Sequence, residues 1–295
     1  MVAGARPEIR TTSLTELSTV VEWAAREGWN PGLRDAEAFH AADPGGFLGA
    51  FAGEELMGAV SAVRYGAGFG FIGLFLVPTE YRRLLMGIRL GRAALALLDG
   101  RCVGTDGVPA QQRQYERLAG FRTAWRNVRF RGDVQGRAPA PDPWAAEAGI
   151  VPAAAVPFHT LAAYDALHFG ARRDAFLRPW IGLPDHVALV CVDRPGGQDP
   201  CVRGFGVIRR CREGRKIGPL FAADADIAEA LFRQLVASTG ADDVILDVPE
   251  ANAAAVSLAR RHGMSPVFET ARMYRGGDPG LPAARIFGIT TFELG

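Results

Sequence analysis

The chain repeats itself. Ile72-Gly73-Leu74-Phe75 returns as Ile217-Gly218-Pro219-Leu220-Phe221, Gly120-Phe121 as Gly263-Met264, and Arg131-Gly132 as Arg275-Gly276. The spacings agree to within two residues, and Asp106-Gly107-Val108-Pro109 is echoed in Asp247-Val248-Pro249. Anchors at nearly constant spacing restrict the chain to two copies of one fold. Its 295 residues leave room for two ordinary domains. The division this predicts is a first copy over 7–131, a linker over 132–147 and a second copy over 148–295. The linker reading rests on the Pro/Ala/Gly-rich run that ends at Trp144-Ala145-Ala146-Glu147.

Within each copy, strands and helices intersperse, which predicts an α/β layer architecture with a mixed sheet. In the first, Glu8–Thr12 reads as a strand, and Ser13 with Glu16 as a capping box opening a helix to about Glu27. Asp35–Ala42 reads as a second helix, and Phe47–Ala52 with Leu56–Tyr65 as a hairpin. The wholly apolar Phe71–Val77, stopped by Pro78, reads as a buried strand. After it, Leu84, Ile88, Leu95 and Leu98 fall on one face of a helix, with Arg89 away from that face. Cys102–Thr105, Pro109–Leu118 and Phe121–Phe130 follow as strand, helix and strand. The second copy repeats the plan, with strands at Ile150–Ala155, Val187–Val192 and Val202–Arg209. Helices are predicted over Thr160–Phe169, Arg172–Trp180 and Ile227–Val236, and a closing strand over Arg285–Leu294.

Thirty-three basic and thirty-two acidic side chains leave a net charge of +1, which gives no electrostatic footprint for nucleic acid or an anionic membrane. No stretch approaches the unbroken apolar length a membrane helix needs and the N-terminus lacks a signal-peptide core, so a cytoplasmic location is expected. The four cysteines and five histidines lack metal-ligand spacing, so no metal is expected.

The turn between Val77 and the following helix carries Arg82, Arg83 and Gly87. A strand-turn-helix of this kind aims backbone N–H groups and the positive helix end at one point, suited to a phosphate. The segment resembles the acyl-CoA-binding core of the GNAT superfamily of N-acyltransferases, whose turn reads Arg/Gln-x-x-Gly-x-Gly/Ala. Arg82 takes the first place and Gly87 the last, while Leu85 stands at the middle glycine and puts side-chain bulk there. The resemblance implies that acyl-CoA lies in a splay between two central strands. Phe75, Leu76 and Val77 would pair with the pantetheine arm, and Arg82, Arg83, Leu84, Leu85, Met86, Gly87 and Ile88 would hold the pyrophosphate. A backbone N–H near Leu76 would hold the oxyanion. Tyr115 matches the family tyrosine that protonates the departing thiolate, although it stands five residues before Gly120 instead of four. No base is assigned. Glu80 lies too near the turn, and Asp106 and Glu54 read as surface carboxylates.

In the second copy, Asp224 and Asp226 occupy the corresponding turn and would repel a pyrophosphate. The segment from Asn252 to Met264 resembles another family helix. The implied whole is a tandem GNAT-fold protein of two copies, with a degenerate cofactor site in the second. Its implied activity is direct transfer from acetyl-CoA to a primary amine of a small molecule, by a monomer or homodimer. Leu85, the spacing of Tyr115 and the unassigned base keep two rivals open: a binding or regulatory protein that has lost the cofactor, or different chemistry in the old cleft.

Overall fold

The computed structural model describes residues 7–134, 149–193 and 200–295. The first half runs β1 (Glu8–Thr11), α1 (Leu14–Arg26), α2 (Asp35–Ala42), β2 (Phe47–Ala52), β3 (Glu55–Tyr65), β4 (Phe69–Leu76), α3 (Met86–Leu97), β5 (Cys102–Gly107), α4 (Pro109–Ala119) and β6 (Arg122–Asp133). The second runs β7 (Ile150–Pro152), α5 (Phe158–Phe169), α6 (Asp174–Trp180), β8 (His186–Val192), β9 (Val202–Arg210), β10 (Arg215–Ala222), α7 (Ala225–Thr239), β11 (Asp243–Pro249), α8 (Ala253–Arg261), β12 (Ser265–Arg275) and β13 (Ile286–Gly288). This is the mixed α/β fold that the sequence predicts.

Local signals explain the first elements. The Ser13 hydroxyl accepts from Glu16 N at 3.3 Å, and Glu16 accepts from Ser13 N at 2.7 Å, which completes the capping box. Leu17, Val20, Val21 and Ala24 then bury one stripe of α1. In α3 the buried stripe is Met86, Leu90 and Ala94, continued by Leu98. The face predicted through Ile88 is therefore wrong: Ile88 is exposed, because the helix starts at Met86 and its fourfold repeat runs from there. Two strand readings also need correction. Ile150–Pro152 is strand but Ala153–Ala155 is a 3-10 turn, and of Arg285–Leu294 only Ile286–Gly288 is extended. Residues 132 and 133 belong to β6, while 135–147 of the expected linker lie outside the described residues.

All strands join one sheet in the order β1-β2-β3-β4-β5-β12-β6-β11-β10-β9-β8-β7, with β13 attached to β10. The order reads alike from both ends, with the last strands of the two halves exchanged at the centre. β12 runs between β5 and β6, and β6 between β12 and β11, all antiparallel. Two related ion pairs pin this exchange. Asp106 on β5 takes both Nε and Nη2 of Arg272 on β12 at 2.8 Å, and Asp247 on β11 takes the same atoms of Arg129 on β6 at 2.6 and 2.8 Å. The side chains of each pair are buried, so a one-residue slip would strand charges in the interior, at about 3–5 kcal/mol per broken pair.

The α1–α2 connection docks the first half onto the second. Asn30 exchanges hydrogen bonds with Glu213, Gly32 bridges to Cys211, and Asp35 pairs with Arg209 in the interior.

Candidate active site

β4 and β5 run parallel and pair only from Phe69↔Cys102 to Ile72↔Thr105. Past that ladder β4 continues through Gly73 to Leu76, leaving a V-shaped cleft between the strands. The divergence coincides with a bulge. Across β3, Ser61 pairs with Gly73 but Ala59 pairs with Leu76, so β4 holds one extra residue, and Leu74 adopts φ 43°. Such a bulge redirects backbone groups at the mouth of the cleft.

One arm of the V leads into the predicted anion turn. Thr79–Leu84 forms a 3-10 turn, Leu85 takes the left-handed conformation at φ 53°, and α3 begins at Met86. Among the described residues no side chain caps α3, so its first-turn N–H groups have no side-chain partner there. Leu85 stands where the left-handed backbone favours glycine, and its side chain is 69% exposed. Phe75 packs along α3, where a Cβ on Gly87 or Gly91 would meet its ring at 3.9 or 3.6 Å. Leu76 and Met86 are buried, and Val77, just past the strand, is partly buried. Arg82 is committed elsewhere: its Nε donates to Val77 O and its Nη2 to Glu27, each at 2.9 Å. Arg83 and Leu84 close the turn. A cavity of 240 Å³ opens here, among Trp23, Glu27, Leu56, Leu76, Val77 and Tyr81.

Tyr115 lies on the other arm. α4 places its ring 6.1 Å from that of Phe121 and over the end of β5, where a Cβ on Gly107 would meet it at 3.1 Å. Burial pushes its phenol up to about 12, so it holds its proton firmly. Asp106, the first residue of β5 beyond the ladder, is not the surface carboxylate read from the sequence. Its side chain is buried, held by Arg272 and by Asn127 Nδ2 at 2.8 Å. Glu54 and Glu80 are exposed.

The matching V in the second half is filled. β10 and β11 pair from Arg215↔Val244 to Ile217↔Leu246, and β13 then enters the gap. Gly288 pairs with Leu220 and Ile286 with Phe221, while Ile289 N donates to Asp247 O on β11 at 2.9 Å. Phe287 is 1% exposed inside this wedge. The adjoining helix α7 is capped by its own chain, Asp224 accepting from Ile227 N at 2.9 Å, with Asp226 in the first turn. Glu229 ties α7 to α8 through His262 at 2.7 Å and Arg261 at 3.0 Å. Burial alone would raise the Glu229 carboxyl, but these bonds and that to Arg233 bring it down to about 2.

Beyond β13 the chain crosses back to the first V. A Cβ on Gly218 would stand 2.4 Å from Thr290 O, and one on Gly73 would stand 1.9 Å from Glu293 O. The strongest repeat anchor is therefore glycine in both copies because this one segment presses on both strands. Ser61 Oγ accepts from Gly73 N at 3.0 Å and donates to Glu293 O at 3.5 Å, and Tyr65 OH donates to Leu294 O at 3.1 Å. The Glu293 side chain is 1% exposed, and neither carboxylate oxygen has a hydrogen-bond partner among the described residues. Burial pushes its pKa up, with Lys216 opposing and Asp35, Arg129 and Arg209 also within range. Sequence reasoning missed Glu293, since it lies in no motif and far along the chain from the cleft.

A profile of the Acetyltransferase (GNAT) domain family matches residues 161–288. The chain is 30% identical over 287 residues to holothin acyltransferase of Pseudoalteromonas sp. (strain SANK 73390), covering 97% of this chain and 94% of that relative. A Pyrococcus horikoshii protein classed with the acetyltransferases shares the fold with TM-score 0.80 at 22% identity, over 100% of this chain and 99% of that one. A tandem GNAT protein from the clavulanic acid biosynthesis pathway does so with TM-score 0.59 at 14% identity, over 92% of this chain and 100% of that one.

Proposed function

The chain belongs to the GNAT acyltransferase family, and from that premise we propose that its first half acetylates a primary amine of a small molecule by direct transfer from acetyl-CoA. The observation that carries this reading is the pair of clefts: the V between β4 and β5 is left open beside an uncapped helix, while its counterpart holds β13. In this reading the pantetheine arm lies along Phe75, Leu76 and Val77, and the pyrophosphate meets the backbone from Arg82 to Ile88. The amine nitrogen attacks the thioester carbonyl, a backbone N–H near Leu76 holds the oxyanion, and Tyr115 protonates the departing sulfur. The second half then serves as a wall and brace. Its match to the family profile fits a retained fold, and the proposed loss concerns only its cleft.

The acceptor class rests on the near-neutral charge, which favours neither nucleic acid nor an anionic surface. Among the described residues no helix is long and apolar enough to cross a membrane. The named relative acts on holothin by its name, so holothin is a first acceptor to try. One observation favours a second reading, a binding protein without transferase activity: Arg82 is already tied to Glu27, and Leu85 fills a glycine position. Calorimetric titration with acetyl-CoA, followed by thiol release with an amine panel, decides between them. Micromolar binding with amine-dependent thiol release supports the transferase. If neither the native protein nor Leu85→Gly binds, the transferase reading falls.

A further inference from the structure

The cavity beside β4 is bridged by a single side chain. Its 240 Å³ lie between Trp23, in the last turn of α1, and Leu76 and Val77, the stretch along which the transferase reading lays the pantetheine arm. The charged side chains of its lining are Arg26, Glu27 and Glu80, one positive against two negative. Arg82 supplies the missing positive charge. Its Nη2 donates to Glu27 Oε1 and its Nε to Val77 O, each at 2.9 Å, so one guanidinium ties the end of β4 to the C-cap of α1. Arg82 and Glu27 are 53% and 48% exposed, and an ion pair that open to water is weak and readily exchanged. Among the described residues the Glu27 carboxylate accepts no other hydrogen bond, so it loses its partner whenever Arg82 moves.

Resting on the transferase reading, we propose that Glu27 selects the acceptor and that the cofactor releases it for this task. Arg82 leaves Glu27 and Val77 O for the pyrophosphate, and the freed carboxylate takes a cationic group of the acceptor. A pyrophosphate carries more charge than a carboxylate and accepts paired guanidinium bonds, so it is the better partner for Arg82. The contact that favours the rival reading thereby becomes a latch, which keeps this subsite neutral until the cofactor is in place. With Arg82 withdrawn, the lining is net negative, and half-buried Trp23 adds the negative face of its ring. The acceptor class this fits is a diamine with a flat apolar body. One nitrogen is acetylated near Leu76, the other stays protonated against Glu27, and the body lies on Trp23.

The test is calorimetry with coenzyme A, which presents the same pyrophosphate and cannot transfer an acyl group. The probes are p-xylylenediamine and 1,4-benzenedimethanol, alike in shape and different in charge. Saturating coenzyme A should tighten the diamine about 5-fold on the native protein and leave the diol unchanged. Arg82→Gln, with the latch permanently open, should bind the diamine without cofactor as tightly as the native protein does with it. Glu27→Gln should bind coenzyme A at least as tightly as the native protein and gain no diamine affinity from it. Four results overturn the proposal and leave the transferase reading standing: no effect of coenzyme A on the native diamine affinity, an equal gain for the diol, a cofactor-free Arg82→Gln no tighter than native, or a full gain in Glu27→Gln. In the last case the cofactor's own charge attracts the diamine. A native protein that binds no coenzyme A, or releases no thiol from acetyl-CoA with any amine, overturns both.

Discussion

The two clefts of this molecule begin alike and end differently. In each, a parallel pair of strands parts after a short ladder, beside a bulge at the same repeat anchor. Between β4 and β5, among the described residues, no strand enters the gap, no side chain caps α3, and no ion pair joins α3 to α4. Between β10 and β11 the gap holds β13, Asp224 caps α7, and Glu229 locks α7 to α8. One fold thus specifies two differently finished clefts by a handful of local choices. An open cleft leaves donors and apolar surface for a ligand to satisfy, whereas the closed one satisfies them with its own chain.

The largest expected difference comes from truncating one aromatic ring at each gap. Phe287→Ala should cost about 3–5 kcal/mol in urea unfolding, as a large ring lost from a packed interior. Phe75→Ala, at a partly exposed position, should cost about 1 kcal/mol and instead weaken acetyl-CoA binding in calorimetry. Equal costs would erase the contrast between the two clefts. Next in size, Tyr115→Phe should lower kcat about 100-fold, or about 2.7 kcal/mol, with KM for acetyl-CoA unchanged in steady-state kinetics. A Tyr115→Phe enzyme with native kcat would remove Tyr115 from the reaction.

The lock on the closed side has a pH signature. Glu229 is held at about 2 against an ordinary 4.5, so its stabilisation is present above pH 4.5 and is lost as pH falls toward 2. Glu229→Gln should therefore cost about 1–2 kcal/mol at pH 7, after allowance for solvent screening, and almost nothing near pH 2. Melting curves across that range would show the gap closing with acid. The smallest effect belongs to the open side. Leu85→Gly relieves a left-handed leucine and should stabilise the fold by about 0.5–1 kcal/mol in thermal unfolding, with acetyl-CoA binding tightened or unchanged. Destabilisation would mean that the leucine side chain packs usefully despite its exposure.

Periodicity and turn chemistry made most elements legible, because α1, α2, β2 and the strand at Phe71 are specified by neighbours close in sequence. The repeat anchors also located both clefts. What the sequence hid was long-range. Nothing in Ile286–Gly288 says that its strand partner is β10 instead of a sheet edge, and nothing near Asp106 announces Arg272 from the other half. The phase of α3 was lost for a different reason. Its start depends on the left-handed Leu85, and leucine gives no hint of that conformation.

The exchange of β6 and β12 sets a schedule for synthesis. β5 has no partner on its far side until residues 265–275 arrive, since β12 alone covers that edge. The first half therefore cannot close as it leaves the ribosome. It must wait, with an unpaired and mostly buried-type edge, for nearly the whole chain to be made. Contacts such as Asp106 with Arg272, 166 residues apart, form late and raise the contact order. A fragment holding only the first half would expose that edge permanently, so the first half should be isolable only as part of the complete pair.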